Sequence, residues 1–314
     1  MIEVIVANKQ VEAEGVCSFE LARPDASPLP AFSAGAHIDV HLGQGLIRQY
    51  SLCNSARETH RYQIAVLNEP ASRGGSRHLH ENIQEGHRLL ISEPRNLFAL
   101  VPGAQRTLLF AGGIGITPIL CMAERLSHAG AAFELYYSVR SRDRAAFADR
   151  LQNSAFAAHV HLCVDDEQPL DAKAVLAHPQ SGTHLYVCGP GGYMGFILDS
   201  AQAHGWPQER LHREYFSASP EATAPGEAFE IEIASSGAVL RVEADQTIID
   251  VLYDAGIEVP VSCEQGVCGT CVTRILDGTP EHRDSFFTDA QRALNDQFTP
   301  CCSRARSPRL ILDL

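Results

Sequence analysis

The stretch Cys263-Glu264-Gln265-Gly266-Val267-Cys268-Gly269-Thr270-Cys271 puts three cysteines within nine residues, and with Cys301 it spells C-x4-C-x2-C-x29-C. That is the ligand spacing of a plant-type [2Fe-2S] cluster. Three thiolates so close can face one centre only where the backbone loops tightly. Gly266 and Gly269 allow this, because glycine reaches positive φ without steric cost. A zinc site would show matched C-x2-C pairs, and a disulfide framework would be short and cysteine-dense. Cys301 and Cys302 are adjacent, and successive side chains on an extended segment point to opposite sides. Only one of the two is therefore expected to face the cluster.

Outward from this loop, 314 residues exceed the size at which a single core stops growing, so two or three domains are expected. With 45% apolar and 20% charged residues the composition is that of a globular chain. The N-terminus starts directly with strand-like alternation, and no run of about 18 apolar residues appears. A soluble, cytoplasmic protein without a membrane partner is expected, in which ten cysteines serve as thiols and metal ligands. A net charge of −13 excludes nucleic acid as a natural partner. Between Phe229 and Leu314, 14 acidic and 7 basic residues leave seven net negative charges, which would steer a partner bearing a basic patch.

Residues 1 to about 100 read as short strands, among them Ile2 to Ala7, His37 to Leu42, Gln49 to Cys53 and Tyr62 to Leu67, a pattern of antiparallel barrels or sandwiches. Arg48 and Tyr50 share one strand face, with Ser51 next in line. Arg73-Gly74-Gly75-Ser76 precedes a short helix, where backbone amides form a phosphate site. From Arg106 the pattern becomes α/β. Strand Thr107 to Ala111 ends at Gly112-Gly113-Ile114-Gly115-Ile116-Thr117-Pro118 before a helix from Ile119 to Ala129. Further strands, Glu134 to Val139, His159 to Val164 and His184 to Val187, end at an arginine cluster, at Asp165-Asp166 and at Cys188-Gly189-Pro190. Ligand groups belong at the carboxyl ends of such strands, which makes Thr117 and Cys188 candidates for positioning a ligand. Ser217 to Glu227 reads as a linker. A hairpin, a helix from Thr247 to Ala255 and strands around Val272 to Ile275 and Leu310 to Leu312 frame the cysteine loop.

With these parts in order, the whole chain resembles the phthalate dioxygenase reductase family, which includes vanillate demethylase reductases. The resemblance rests on Arg48-x-Tyr50-Ser51, Gly112-Gly113-x-Gly115-x-Thr117-Pro118, Cys188-Gly189-Pro190 and the cysteine set. It implies an FMN-binding antiparallel β-barrel (1–103), an NAD-binding α/β domain (104–216), a linker (217–228) and a β-grasp, α+β ferredoxin domain (229–314). It further implies that Arg48, Tyr50 and Ser51 line the flavin, with Ser51 near N5. Gly74, Gly75 and Ser76 with Arg73 would hold the FMN phosphate, and Phe216 would cover the flavin. The family's C-x-S-R-A segment reads Cys301-Cys302-Ser303-Arg304-Ala305 here, which favours Cys301 as fourth ligand. Arg140, Arg142 and Arg144 depart from an NADH pattern, since arginines at that strand end accept a 2′-phosphate and so admit NADPH.

A nicotinamide gives up two electrons together and a [2Fe-2S] cluster takes one at a time, so FMN between them serves as converter. The expected function is an NADH-dependent iron–sulfur flavoprotein reductase that feeds a separate Rieske-type oxygenase, since the chain has no Rieske C-x-H pair. The alternatives are a reductase for another protein acceptor and a redox sensor.

Overall fold

The computed structural model describes residues 1–43, 45–70, 74–217 and 224–314, arranged as two compact units, Met1–Glu214 and Tyr215–Leu314. The first unit opens with strands β1 (Ile2–Ala13), β2 (Val16–Ala22), β3 (Ala36–His41), β4 (Ile47–Ser51) and β5 (Tyr62–Leu67). Helix α1 (Gly75–Asn82), β6 (Arg88–Ile91) and β7 (Arg95–Asn96) follow. The sheet runs β4-β3-β6-β1-β2-β5 and is antiparallel throughout, with β7 on β3. Its two ends meet where Leu52 bridges Ile64 and the Cys53 amide donates to the Gln63 carbonyl at 2.9 Å, which closes a barrel. Val4, Val6, Phe19, Leu21, Ile38 and Ile64 fill it.

β1 extends six residues beyond its expected end because register shifts between Val6 and Asn8 and between Val11 and Ala13 keep it paired with β2. β2 was not singled out in the sequence. It is buried at nearly every position and so lacks the alternation that marks a half-exposed strand.

The α/β part holds β8 (Arg106–Gly112), α2 (Ile116–His128), β9 (Phe133–Val139), α3 (Ala148–Gln152), β10 (Val160–Val164), α4 (Ala172–Leu176), β11 (Thr183–Cys188), α5 (Gly191–Ala203) and β12 (Leu211–Glu214). All pairs in the order β10-β9-β8-β11-β12 are parallel. α2 starts three residues before its expected start, with Pro118 in the first turn, where a missing N–H costs nothing. One apolar core joins this sheet to the barrel: Ala34, Cys53, Ala65 and Phe98 pack with Ile119, Met122 and Tyr186. Tyr186 adds a polar tie, accepting from the Val101 amide at 2.7 Å and donating to the Ala99 carbonyl at 3.3 Å.

The second unit comprises β13 (Phe229–Ile233), β14 (Ala238–Val242), α6 (Ile248–Asp254), β15 (Thr273–Asp277), β16 (Pro280–Glu281), α7 (Asp289–Leu294), β17 (Gln297–Phe298), β18 (Arg304–Ala305) and β19 (Arg309–Leu312). Its mixed sheet, β14-β13-β19-β15-β17, has the parallel pair β13/β19 at its heart. Reciprocal capping boxes start both helices, Thr247 with Asp250 and Thr288 with Gln291. Arg304 donates to the carbonyls of Glu227, Glu243 and Gln246 at 2.8 to 2.9 Å and lies over the Phe229 ring. The core of Phe229, Ile231, Leu252, Phe298, Leu310 and Leu312 contains no cysteine. Half of the expected linker, residues 218–223, lies outside the described residues.

Phe98 sits where barrel and α/β sheet share their core, 5.5 Å from the Tyr186 ring centroid. Replacing it by alanine is expected to cost about 3–5 kcal/mol. Urea unfolding followed by the fluorescence of Trp206, the chain's single tryptophan, checks this.

Candidate functional site

β4 carries Arg48, Tyr50 and Ser51 to one rim of the barrel, and α1 begins over Arg48. A Cβ on Gly75 would come within 2.5 Å of Arg48 Cγ, so only glycine lets the helix start there. Gly74 is its N-cap, with φ +94°, and the first turn holds no acidic residue to compete for its amides. Ser76 Oγ accepts from the Glu69 amide at 3.3 Å. Arg73, expected beside them, lies outside the described residues. The Arg48 side chain thus lies against the start of α1, and helix-start amides beside a guanidinium are a donor set that suits a phosphate.

At the carboxyl ends of the parallel strands the two glycine motifs pack on each other. A Cβ on Gly115 would meet the Cys188 carbonyl at 2.2 Å, and one on Gly189 would meet Gly112 at 3.0 Å. Gly112 also lies against Pro190 and the ring of Tyr193, whose hydroxyl accepts from Ser138 at 3.4 Å. Gly113 is open on its Cβ side. Thr117 is buried and donates to the Ile114 carbonyl at 3.1 Å, and Cys188 is fully buried, its thiol pushed up by burial.

β12 lies beside β11 in parallel register, with Glu214 opposite Cys188. Ser51 Oγ donates to Glu214 Oε2 at 3.3 Å across 163 residues of sequence. Thus Ser51, Cys188 and Glu214 meet at the crevice between barrel and α/β sheet. Burial pushes the Glu214 carboxyl up to about 8, with the Ser51 hydrogen bond acting against that rise. Glu214 and Tyr193 were not among the sequence candidates. Glu214 stood in Arg213-Glu214-Tyr215-Phe216, a run noted only for its aromatic. Phe216 is 41% exposed at the start of the second unit.

Beyond β9, Arg142 is held by the Glu167 carboxylate at 2.9 and 3.0 Å from its Nε, and Arg144 by Glu14 at 3.2 Å. Two of the three arginines thus already have acidic partners.

In the second unit the four spaced cysteines are buried. Cys263 takes hydrogen bonds from Cys268 and Cys301, which push its thiol far down, and the Cys301 thiol also reaches Cys271. Backbone amides of Gln265 and Thr270 donate to Cys263 and Cys268 at 3.4 Å. Gly266 and Gly269 both have φ near +70°, and each is also tightly covered. A Cβ would come within 2.3 Å of Cys302 Sγ and of the Phe286 ring respectively. Cys302 touches Cys301 but is held by the Thr299 hydroxyl at 3.3 Å and lies 3.9 Å from that of Ser303. Four convergent thiols with amide donors are the chemistry of an iron–sulfur centre.

Comparison with known proteins agrees with this geometry. Residues 231–306 match the family model of a 2Fe-2S iron-sulfur cluster binding domain, and residues 90–211 that of the N-terminal domain of dimethylamine monooxygenase subunit DmmA-like proteins. The chain is 58% identical to a vanillate O-demethylase oxidoreductase of Pseudomonas sp. (strain HR199 / DSM 7063), over 100% of both chains. It is 37% identical to a phthalate dioxygenase reductase of known structure, with a TM-score of 0.78, covering 100% of this chain and 98% of that one. It is also 37% identical to part of a type IV self-sufficient cytochrome P450 monooxygenase, with a TM-score of 0.86, where it spans 41% of that chain. The protein is therefore an NAD(P)H-dependent iron–sulfur flavoprotein oxidoreductase with a [2Fe-2S] cluster domain. It belongs to the family of vanillate O-demethylase and phthalate dioxygenase reductases. No helix among the described residues is long and apolar enough to cross a membrane.

The raised Glu214 carboxyl has a consequence for stability. Between pH 4.5 and about 8 the folded chain keeps a proton that the unfolded chain has released, so stability falls as pH rises through that window. Glu214→Gln removes the effect. In the flavin-free chain the Tm of the variant should gain on wild type from pH 4.5 to 8, by about 2–4 °C per kcal/mol of ionisation cost. Thermal melts at both pH values read this, and a pH-independent gap would contradict it.

Proposed function

We propose that this chain is the reductase component of a two-component Rieske-type oxygenase of the vanillate O-demethylase kind, using NADH, FMN and a [2Fe-2S] cluster. The observation that carries the reading is 58% identity over the full length of such an oxidoreductase. Bound FMN would supply the exchange between a two-electron donor and a one-electron acceptor.

The chain's own residues have the following roles. Gly74, Gly75 and Ser76 hold the flavin phosphate over Arg48, and Arg48, Tyr50 and Ser51 line the ring. Gly112, Gly113, Gly115, Gly189 and Pro190 form the floor on which the nucleotide lies, and Thr117 and Cys188 orient the nicotinamide. Glu214, its carboxyl pushed up to about 8 by burial, accepts from the Ser51 hydroxyl at Oε2. The family resemblance assigns Phe216 to the flavin as well. Cys263, Cys268, Cys271 and Cys301 ligate the cluster, the last supported by the contact of its thiol with those of Cys263 and Cys271. The partners of Arg142 and Arg144 favour NADH over NADPH, because Glu167 and Glu14 oppose a 2′-phosphate. Likeness to the reductase part of a fused cytochrome P450 favours a haem protein as second acceptor class.

Reconstitution with a vanillate O-demethylase oxygenase component and NADH tests the acceptor. Coupled turnover is expected, and turnover with a cytochrome alone would replace the oxygenase reading. Mass spectrometry of the released cofactor should find FMN and one cluster per chain. FAD would overturn the cofactor assignment. Cys301→Ser should lose the cluster and Cys302→Ser should keep it, read from the visible absorption of the cluster. Equal loss in two folded variants would remove the distinction. Stopped-flow mixing of Cys263→Ser with NADH should leave flavin reduction within about tenfold of wild type, about 1.4 kcal/mol of barrier, while delivery to a one-electron protein acceptor stops.

A further inference from the structure

Lys9 sits where a barrel strand should carry an apolar residue. Ile2, Val4 and Val6 of β1 point into the core, and continued alternation would send position 9 outward. The register shift between Val6 and Asn8 reverses this and sets Lys9 opposite Phe19, a fully buried core residue. The ammonium lies 5.4 Å from the Phe19 ring centroid. All three of its donors are used, on the carbonyls of His80 and Ile83 at 2.7 Å and of Leu79 at 3.3 Å. These belong to the C-terminal end of α1, where helix carbonyls lack partners within the helix. Glu85 is the acidic group nearby, and it accepts from the Lys9 backbone amide at 3.1 Å. A second tie, His80 Nε2 to the Val66 carbonyl at 2.8 Å, holds the same turn to β5.

We propose that Lys9 is a positioning residue for the flavin phosphate, fixing α1 by its C-terminal carbonyls so that its N-terminal amides stay aimed over Arg48. The inference rests on the reading of Gly74-Gly75-Ser76 as the phosphate site. α1 has eight residues, about 12 Å of helix, and so short a helix does not persist on its own in water. Its direction therefore comes from its ties. Gly75 fixes the N-terminal end by close approach to Arg48, and Lys9 fixes the other end. A cation there also complements the helix dipole, which leaves the positive end to an anion. Lys9 touches no cofactor in this arrangement and acts along the length of the helix.

The test separates phosphate binding from general stability by comparing FMN with riboflavin, which lacks the phosphate. Full-length protein is freed of flavin, and both compounds are titrated back by equilibrium dialysis. Wild type should prefer FMN by about 100-fold, the scale of charge-assisted hydrogen bonds. Lys9→Met should lower that preference by about tenfold, as loss of a helix-end charge interaction does, with riboflavin affinity unchanged. Lys9→Arg should restore it. Should Lys9→Met fail to fold by circular dichroism, Lys9→Gln, which keeps an amide donor without the charge, is read in its place. An unchanged preference in the folded variant overturns the role of Lys9 while leaving the phosphate site standing. A wild type that binds both flavins equally overturns the phosphate site itself, and the proposal with it.

Discussion

Electron exchange between two bound rings tolerates little displacement, because a misplacement of about 1 Å can cost roughly a hundredfold in rate. Everything in the first unit answers to that requirement. The barrel and the parallel sheet do not merely touch. Phe98, Cys53 and Ala34 from one and Ile119, Met122 and Tyr186 from the other belong to a single apolar core. The hydrogen bonds of Tyr186 to Ala99 and Val101 pin the connecting chain to that core. The crevice holding Ser51, Cys188 and Glu214 is thus bounded by walls that share their interior, and its width is set by packing.

Within the crevice, backbone is brought against backbone. Gly115 lies on the Cys188 carbonyl and Gly189 on Gly112, so the two motifs are spaced by the absence of side chains. This end of the sheet is therefore a surface of amides and carbonyls with few side chains, Thr117, Cys188 and Glu214 among them. The arginines beyond β9 are tempered by Glu167 and Glu14. These pairs are exposed to water, which screens them, so they add little to stability.

Motifs that depend on local spacing were legible in the sequence. The cysteine loop, the glycine turns after β8 and β11, and the order of the three sheets followed from residue patterns and from the family they resemble. Positions created by distant pairing were not. Glu214 gains its role only because β12 lies beside β11 and the barrel rim reaches across to it, so nothing near position 214 marks it. Lys9 is hidden for another reason, since one register shift reverses which face it occupies. Helix α2 begins three residues ahead of the expected Ile119 because a first-turn proline is compatible with a helix. β2 escaped notice because a strand buried on both faces has no period.

The cysteine-free core of the second unit separates two tasks that small metal-binding domains often combine. In a zinc finger the metal is part of the folding energy, and the empty chain is unfolded. Here the sheet of β13, β14, β15 and β19 closes over Phe229, Ile231, Phe298 and Leu310, and none of the four thiols contributes to it. The loop of residues 263–271 is shaped by other contacts, Gly266 against Cys302 and Gly269 against Phe286. Most of the apolar burial that holds this unit together is therefore independent of iron and sulfide, and the metal centre is a load that the sheet carries.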